Sequence, residues 1–531
     1  MKIEKVTVIG AGLMGSGIAA QVANAGLPVN LLDIVPTDSE DRNMISQSAI
    51  SKMLKPVKLG SPSQLMHPDN AKLITPGNLE DNLDLISDSD LIIEVVLEKL
   101  EIKHDVFRKI DKYRKKSSIV TSNTSTIPRN QLIEGMPKSF SNDFFITHFF
   151  NPPRYLRLLE IVSDKKVDDK KLEAIINFCD VKLGKEVVIC NDTPGFIGNR
   201  IGMFWSLTAM VEAFKANLTV EEADAIMGRP IGAPKTGVFA LGDVVGLDLI
   251  PHVTESLSHN LPDDDKYNLG VKEQSKFGID SLLKEMVETG YTGRKGKGGF
   301  YRINDSNEIR VKESRDLKTG EYNTSIKSNL ESIKAAKKGL RALVEFDDKG
   351  GKYAWSVLSK TLSYAASLVP EITGNIVNVD NALKNGFLWK KGPFQMLDDL
   401  GPSWFASKLI EDNLEVPDLL IKVGERKFYE DNEENSLYFN IDGSYSKIES
   451  SEGHLSVKEI KRGQKTIFGN SSASLWNMGD KILLAEFHSK MNAMDPQIME
   501  VLSEASTLCE SGDFEGLVIG NDGSNFSAGA N

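Results

Sequence analysis

The feature that most restricts the fold of this chain is the glycine-rich turn Gly10-Ala11-Gly12-Leu13-Met14-Gly15. It follows the strand-like run Val6-Thr7-Val8-Ile9 and opens a helical stretch that continues to about Gly26. A strand, three spaced glycines and a helix, in that order, form a cradle for a dinucleotide. Gly10 permits the tight turn, Gly12 lets the backbone approach a pyrophosphate, and Gly15 lets helix and strand close together. The helix N-terminus then offers unpaired N–H groups to phosphate oxygens. Asp33 ends the next strand-like run, Val29-Asn30-Leu31-Leu32-Asp33, where a carboxylate accepts hydrogen bonds from ribose hydroxyls. The same charge repels a 2′-phosphate, and Ile34, Val35 and Pro36 supply no arginine to offset it, so NAD rather than NADP is the expected cofactor.

Further along, short β-branched runs alternate with amphipathic stretches up to about residue 190, the pattern of a parallel sheet covered by helices. Strands are expected at Val6–Ile9, Val29–Leu32, Leu91–Val95, Ser118–Thr121, Phe144–Thr147, Leu158–Val162 and Glu186–Ile189. After Asp192-Thr193-Pro194-Gly195 helical periodicity dominates until about Gly290. A polar segment, 303–336, reads as a linker. An echo of the helical region follows: Val220-Glu221-Glu222-Ala223-Asp224 and Phe239–Gly246 reappear in weaker form around Asn378–Ala382 and Phe394–Gly401. The expected division is a Rossmann domain at 1–190, a helical domain at 191–302, a second helical copy at 337–416, a linker at 417–471 and an α/β segment at 472–531.

The formal net charge of −12 disfavours a general nucleic-acid surface, which needs a concentrated basic face. No apolar run approaches the roughly 20 residues that span a bilayer. Three scattered cysteines suggest neither a disulfide framework nor a zinc site, and no metal is expected. The strand beginning just after Met1 leaves no room for a targeting peptide, which makes the cytoplasm the expected compartment.

Oxidising an alcohol requires a base for the hydroxyl proton while hydride departs, and histidine suits neutral pH. His148 lies in Phe145-Ile146-Thr147-His148-Phe149-Phe150-Asn151-Pro152 at the end of an expected strand. Glu160 lies within the apolar run Arg157–Val162, and a carboxylate buried there needs a partner. Pairing with His148 would orient the ring and fix its tautomer. Ser122-Asn123-Thr124-Ser125 and Pro194-Gly195-Phe196-Ile197-Gly198-Asn199-Arg200 add hydroxyl and amide groups. Each could instead be a turn or a helix cap.

With these motifs in this order, the stretch from Lys5 to Tyr301 resembles the 3-hydroxyacyl-CoA dehydrogenase family. The resemblance implies oxidation of a (3S)-3-hydroxyacyl-CoA to the 3-oxoacyl-CoA, with 6-phosphogluconate-dehydrogenase-like helical domains after the Rossmann domain. It makes His148 the base, Glu160 its orienting partner, and Ser125 and Asn199 the groups that hold the substrate oxygen. It places Glu98, Lys103, Asn151 and Lys295 against NAD beside Gly10, Gly12, Gly15 and Asp33. Lys297 departs from the family, in which an acidic residue is common at this position. Lys52, Lys55 and Lys58 could meet CoA phosphates or simply form a solvated basic face. Rivals are a sugar-acid dehydrogenase, which would call for a catalytic lysine or cysteine, and a catalytically idle NAD-binding relative.

The second helical copy resembles that of fused dehydrogenase–hydratase proteins, and no second serine, histidine and glutamate set accompanies it. It is expected to serve packing or to complete the acyl-CoA cleft. Residues 472–531 resemble the opening of an enoyl-CoA hydratase (crotonase) domain. There the turn Phe526-Ser527-Ala528-Gly529-Ala530 would give one oxyanion N–H, from Ala530, and Asn531 stands where aspartate is usual. The segment is expected to be incomplete, poorly packed or to expose an apolar face. A homo-oligomer or association with a thiolase is the expected partnership.

Overall fold

The computed structural model describes residues 1–55, 63–164, 167–305, 310–450, 453–523 and 525–530. Lys58 and Asn531 lie outside the described residues. The chain forms two compact units, Met1–Phe428 and Tyr429–Asn531.

The first unit is built on strands β1 (Val6–Ile9), β2 (Val29–Asp33), β3 (Ile74–Asn78), β4 (Leu91–Glu94), β5 (Ile119–Ser122), β6 (Phe144–Phe149), β7 (Leu158–Val162) and β8 (Glu186–Cys190). They lie in the order β3-β2-β1-β4-β5-β6-β7-β8. Every adjacent pair is parallel except β6 and β7. With both faces covered, β1, β4, β5, β6 and β7 are buried along their whole length, as parallel strands between helices should be. The strand order reverses between β1 and β4, so the crevice at their carboxyl ends is where a sheet of this topology holds ligands.

β3 escaped the sequence reading because Pro76 and Gly77 lower its strand signal. Proline is tolerated there because β3 is an edge strand, paired on one side only, to β2. The opposite edge, β8, is covered by the helix Ile376–Gly386. Asn378 Nδ2 donates to the Ile189 carbonyl at 3.1 Å and Asn381 Nδ2 to Glu186 Oε1 at 2.8 Å.

The two supposed linkers are not structureless. Residues 303–336 contribute to an antiparallel sheet of β9 (Tyr301–Asn304), β10 (Val311–Arg315) and β11 (Tyr322–Thr324), followed by the helix Glu331–Ala335. In the second unit, within 417–471, β12 (Tyr429–Asp431), β13 (Ser436–Phe439) and β14 (Tyr445–Lys447) form another antiparallel sheet. These strands are short and largely polar, so they lack the apolar alternation that marks a strand in sequence.

Helices after β8 pack around Gly198–Lys215, which is buried on nearly every side. Two aspartates brace this region in matching ways. Asp224 accepts from the backbone N–H groups of Val238, Phe239 and Ala240 at 2.7, 2.7 and 3.0 Å. Asp380 accepts from Phe394 and Gln395 at 2.8 and 3.0 Å. An added Cβ on Gly237 would come within 2.4 Å of Asp224 Cα, and one on Gly392 within 2.3 Å of Asp380 Cα. Asp243 likewise accepts from Phe300 and Tyr301 N–H, and Asp398 from Phe428 N–H. Phe239 meets Phe300 edge-on at 4.7 Å and Phe394 meets Phe428 edge-on at 4.9 Å.

The second unit also holds a sheet of β15 (Phe468–Gly469), β16 (Ala473–Gly479), β17 (Ile482–Phe487) and β18 (Gly516–Gly520) with the helix Pro496–Glu510 against it. Ala473, Leu475, Leu483, Phe487, Ile498 and Val501 make a closed core there, so this face is well packed. By contrast Val518, Ile519 and Phe526 stay exposed.

Candidate active site

β6 and β7 run antiparallel with His148 directly opposite Glu160, so the turn between them places the two side chains on one face. His148 Nδ1 lies 2.6 Å from Glu160 Oε2, and the carboxylate is fully buried. Its other oxygen accepts from the Ile197 and Gly198 N–H groups at 3.0 and 2.7 Å. These sit where the Gly198–Lys215 helix begins, and a helix N-terminus favours a negative charge. The approach depends on two left-handed residues, Gly195 (φ +73°) and Phe196 (φ +49°). For phenylalanine this conformation costs on the order of 1–2 kcal/mol, offset by burial of a ring 5.8 Å from that of His148.

Because Glu160 accepts from Nδ1–H, Nε2 is left as the basic nitrogen. Among the described residues nothing hydrogen-bonds Nε2, and the imidazole packs against the Phe150 ring at 4.6 Å. Asn199 is the second residue of the Gly198–Lys215 helix, beside the N–H that binds Glu160. Its amide and the Ser125 hydroxyl make no hydrogen bond among the described residues.

Ser125 is held by a charged cluster at the end of β4. Lys103 is buried and pairs with Glu94 at 2.9 Å and Glu98 at 3.1 Å. Glu98 Oε1 accepts from Ser125 N–H at 3.0 Å and from the Thr124 hydroxyl, while Ser122 Oγ donates to Glu94 at 2.6 Å. Burial works against the Glu98 carboxylate, yet Lys103, Thr124 and Ser125 hold its pKa below the ordinary value. Burial likewise opposes the Lys103 ammonium, and the two glutamates raise it. Lys103 is thus a buried brace under the Ser122–Ser125 turn, with Glu98 reaching from it toward solvent. Sequence reasoning missed Glu94, although an acid ending the apolar run Leu91-Ile92-Ile93 carried the same signal that singled out Glu160.

The glycine turn fits a dinucleotide. Gly10 has φ +106°, and an added Cβ would come within 2.4 Å of the Val95 carbonyl oxygen. At Gly15 a Cβ would lie 1.8 Å from Gly10 O, so helix and turn touch. At Gly12 nothing lies within 4 Å, which leaves open the space a pyrophosphate needs. Asp33 accepts from Ala11 N–H at 2.5 Å and Ile34 N–H at 2.7 Å, with carboxylate lone pairs to spare for ribose hydroxyls. Arg42, downstream of β2, is committed to Glu80 and Asp81.

Asn151 is exposed at the start of the turn after β6. That turn is braced by Lys185, whose buried Nζ donates to the carbonyls of Leu156, at 2.9 Å, and Pro153. Lys295 is not joined to the His148 pair or the glycine turn by any hydrogen bond or ion pair among the described residues. Its Nζ meets Asp248 at 2.7 Å. Among the described residues no group of three His, Cys, Asp or Glu could hold a metal, and no helix is long and apolar enough to cross a membrane.

A doubly wound sheet with a dinucleotide turn at its switch point defines an NAD-binding oxidoreductase. Residues 5–193 match the model of the 3-hydroxyacyl-CoA dehydrogenase NAD-binding domain, and 195–303 match the C-terminal domain of the same family. A Bacillus subtilis protein named as a 3-hydroxyacyl-CoA dehydrogenase is 39% identical over all of this chain and 68% of its own length. A Rickettsia felis protein named as a fatty acid oxidation complex trifunctional enzyme is 37% identical over all of this chain and 69% of its own. An Escherichia coli 3-hydroxybutyryl-CoA dehydrogenase structure shares the fold, with a TM-score of 0.57 at 19% identity over 80% of this chain and 98% of that one. The chain belongs to the 3-hydroxyacyl-CoA dehydrogenase family, and its cofactor is NAD.

Proposed function

We propose that the chain oxidises (3S)-3-hydroxyacyl-CoA to 3-oxoacyl-CoA in fatty-acid β-oxidation, with His148 and Glu160 as the proton-transfer pair. The observation that carries this reading is the 2.6 Å contact between a buried carboxylate and the histidine, with that carboxylate seated on a helix N-terminus. His148 takes the C3 hydroxyl proton on Nε2. Glu160 holds the ring through Nδ1 and balances the charge the ring gains. Ser125 and Asn199 direct the substrate oxygen toward Nε2, so that much of the barrier is met by prior orientation. When bound, NAD supplies the hydride acceptor. Gly10, Gly12, Gly15 and Asp33 would hold it, and Glu98, Lys103, Asn151 and Lys295 are assigned to it by resemblance to the family.

Two further readings belong with this one. The aspartate braces at Asp224 and Asp380, and the edge-on phenylalanine pairs, support a duplicated helical domain whose second copy serves packing. The sheet of β15–β18 supports a crotonase-like segment, in which Ala530 would lend one oxyanion N–H and the parent protein would add hydratase activity. Association with a thiolase or a second copy, and a cytoplasmic site, complete the proposal. They are supported by the trifunctional name of the Rickettsia relative and by three cysteines that are all free. The direct test is spectrophotometric: NADH formation from 3-hydroxyacyl-CoA, set against sugar acids. Turnover of the latter alone would overturn the assignment of the site.

A further inference from the structure

We propose that Tyr364, from the second helical set, is a positioning residue for the His148–Glu160 pair. Through Arg200 it fixes the first turn of the Gly198–Lys215 helix, and so sets how firmly the N–H groups of that turn hold the Glu160 carboxylate. This rests on the proton-transfer reading above and deepens it, because it gives the second set a part in the chemistry beyond packing.

The turn that serves Glu160 needs an outside anchor. Its Ile197 and Gly198 N–H groups donate to Glu160 Oε1 at 3.0 and 2.7 Å, and the chain enters it through the left-handed Gly195 and Phe196. A left-handed phenylalanine persists only where its surroundings over-determine it. Arg200 supplies the constraint. It is the third residue of the helix, and its backbone N–H donates back to the Gly195 carbonyl at 3.1 Å. Its side chain is 1% exposed. Nε donates to the Tyr364 hydroxyl at 2.5 Å, and Nη2 donates to Asp265 Oδ2 at 2.5 Å with Glu371 at 3.4 Å.

Tyr364 closes this arrangement by donating its own hydroxyl to Asp265 Oδ1 at 2.8 Å. Burial, with Asp265 beside it, raises the phenol well above its ordinary value, so it keeps the proton it donates. Asp265 belongs to the first set, where it caps the Lys266–Lys276 helix through Tyr267 N–H at 2.8 Å. Tyr364 lies on the Lys349–Ser367 helix of the second set. Its ring also sits 4.2 Å from that of Phe204, one turn beyond Arg200 on the same face. Tyr364 therefore grips the helix at two successive turns. Arg200 Nη1 is already buried without a partner among the described residues, so losing the hydroxyl would strand a second nitrogen of the same guanidinium.

The consequence for the pair has a definite sign. N–H donors draw charge from a carboxylate; when they slacken, Glu160 keeps more of it for the imidazolium, and His148 holds its proton to higher pH. Cys190 also senses Glu160, but burial raises its thiol far above the ordinary value and it stays neutral, which leaves His148 to report the change.

The test is the titration midpoint of His148 in the full chain, read by NMR of 15N-labelled histidine and assigned by difference from His148→Ala. The acid limb of kcat for oxidation of 3-hydroxybutyryl-CoA is measured beside it. Tyr364→Phe keeps the ring against Phe204 and removes the hydroxyl. It should move midpoint and limb upward by about half a pH unit and lower kcat at neutral pH about three- to tenfold, with the KM for NAD unchanged. The control is Tyr353→Phe on the same helix. Tyr353 is as buried, and its hydroxyl donates to the Ala209 carbonyl at 3.0 Å, about 16 Å along the helix from Gly198. That variant should leave the midpoint where it is. A midpoint unmoved in Tyr364→Phe, or moved equally by Tyr353→Phe, overturns the inference. Because the NMR midpoint needs no substrate, a chain inert toward acyl-CoA whose midpoint still moved as expected would refute the acyl-CoA reading and leave the role of Tyr364 standing.

Discussion

The helical sets around Asp224 and Asp380 are braced alike, yet among the described residues only the first has a helix end that hydrogen-bonds Glu160. In each, a buried aspartate caps a following helix and a glycine grants it the room. What differs is what the leading long helix points at. Gly198–Lys215 aims its N-terminal N–H groups at Glu160 and carries Asn199 beside them. The corresponding long helix, Lys349–Ser367, begins with its N-terminal N–H group satisfied by its own cap, Asp348, which accepts from Gly351 at 2.8 Å. On the proposed reading, function arises where the first set's helix end meets a carboxylate of the sheet.

The largest effect that could break this comparison is expected at His148. His148→Ala should lower kcat by about 10²–10⁴-fold while NADH binding, followed by fluorescence titration, stays intact. An unchanged rate would remove the histidine from the mechanism and with it the distinction between the two sets. Glu160→Gln should follow with a loss of about a hundredfold. The amide cannot serve both the ring and the two N–H groups as the carboxylate does, and thermal melting would report a further cost of roughly 1–3 kcal/mol.

Stability against pH sharpens the comparison next. Burial pushes Asp224 up to about 7, against hydrogen bonds from Phe239, Ala240, Tyr301 and Val238, and pushes Asp243 up to about 6. A folded-state pKa raised above the unfolded value contributes stability that is fully present below about pH 4. That contribution is lost as pH climbs through the folded values. Denaturant titrations should show the first set weakening by a few kcal/mol between pH 4 and 7, and Asp224→Asn should flatten most of that slope. A slope that persists in the variant would place the titrating group elsewhere.

The smallest effect is expected at the brace below Ser125. Glu98 is depressed, so its contribution is present above the ordinary carboxylate range and lost as pH falls through its folded value. Lys103→Met should strand two glutamates, weaken NADH binding by roughly tenfold and raise the acid limit of activity. The pH–rate profile measures both.

Much of the site was legible because its signals are local. Gly10–Gly15, Asp33, His148 and Glu160 could be read from short motifs at strand ends, and the structure joins His148 to Glu160 as their pattern required. Lys295 was named by resemblance alone, and among the described residues its ion pair leads to Asp248 and not to that pair. β3 and the sheets of β9–β11 and β12–β14 were missed because their residues lack the alternation that reveals a half-buried strand.

The sequence by itself determined the dinucleotide turn, the preference for NAD and the pairing of a histidine with a buried glutamate. These depend on residues a few positions apart whose backbone needs are unmistakable. Only tertiary structure decided that a helix N-terminus would stabilise Glu160, that Lys103 would be buried between two carboxylates, and that Phe387 would reach Phe150 from almost 240 residues away. Such contacts come from packing between distant segments, where many sequences of similar pattern would serve, and no local period records which one is used.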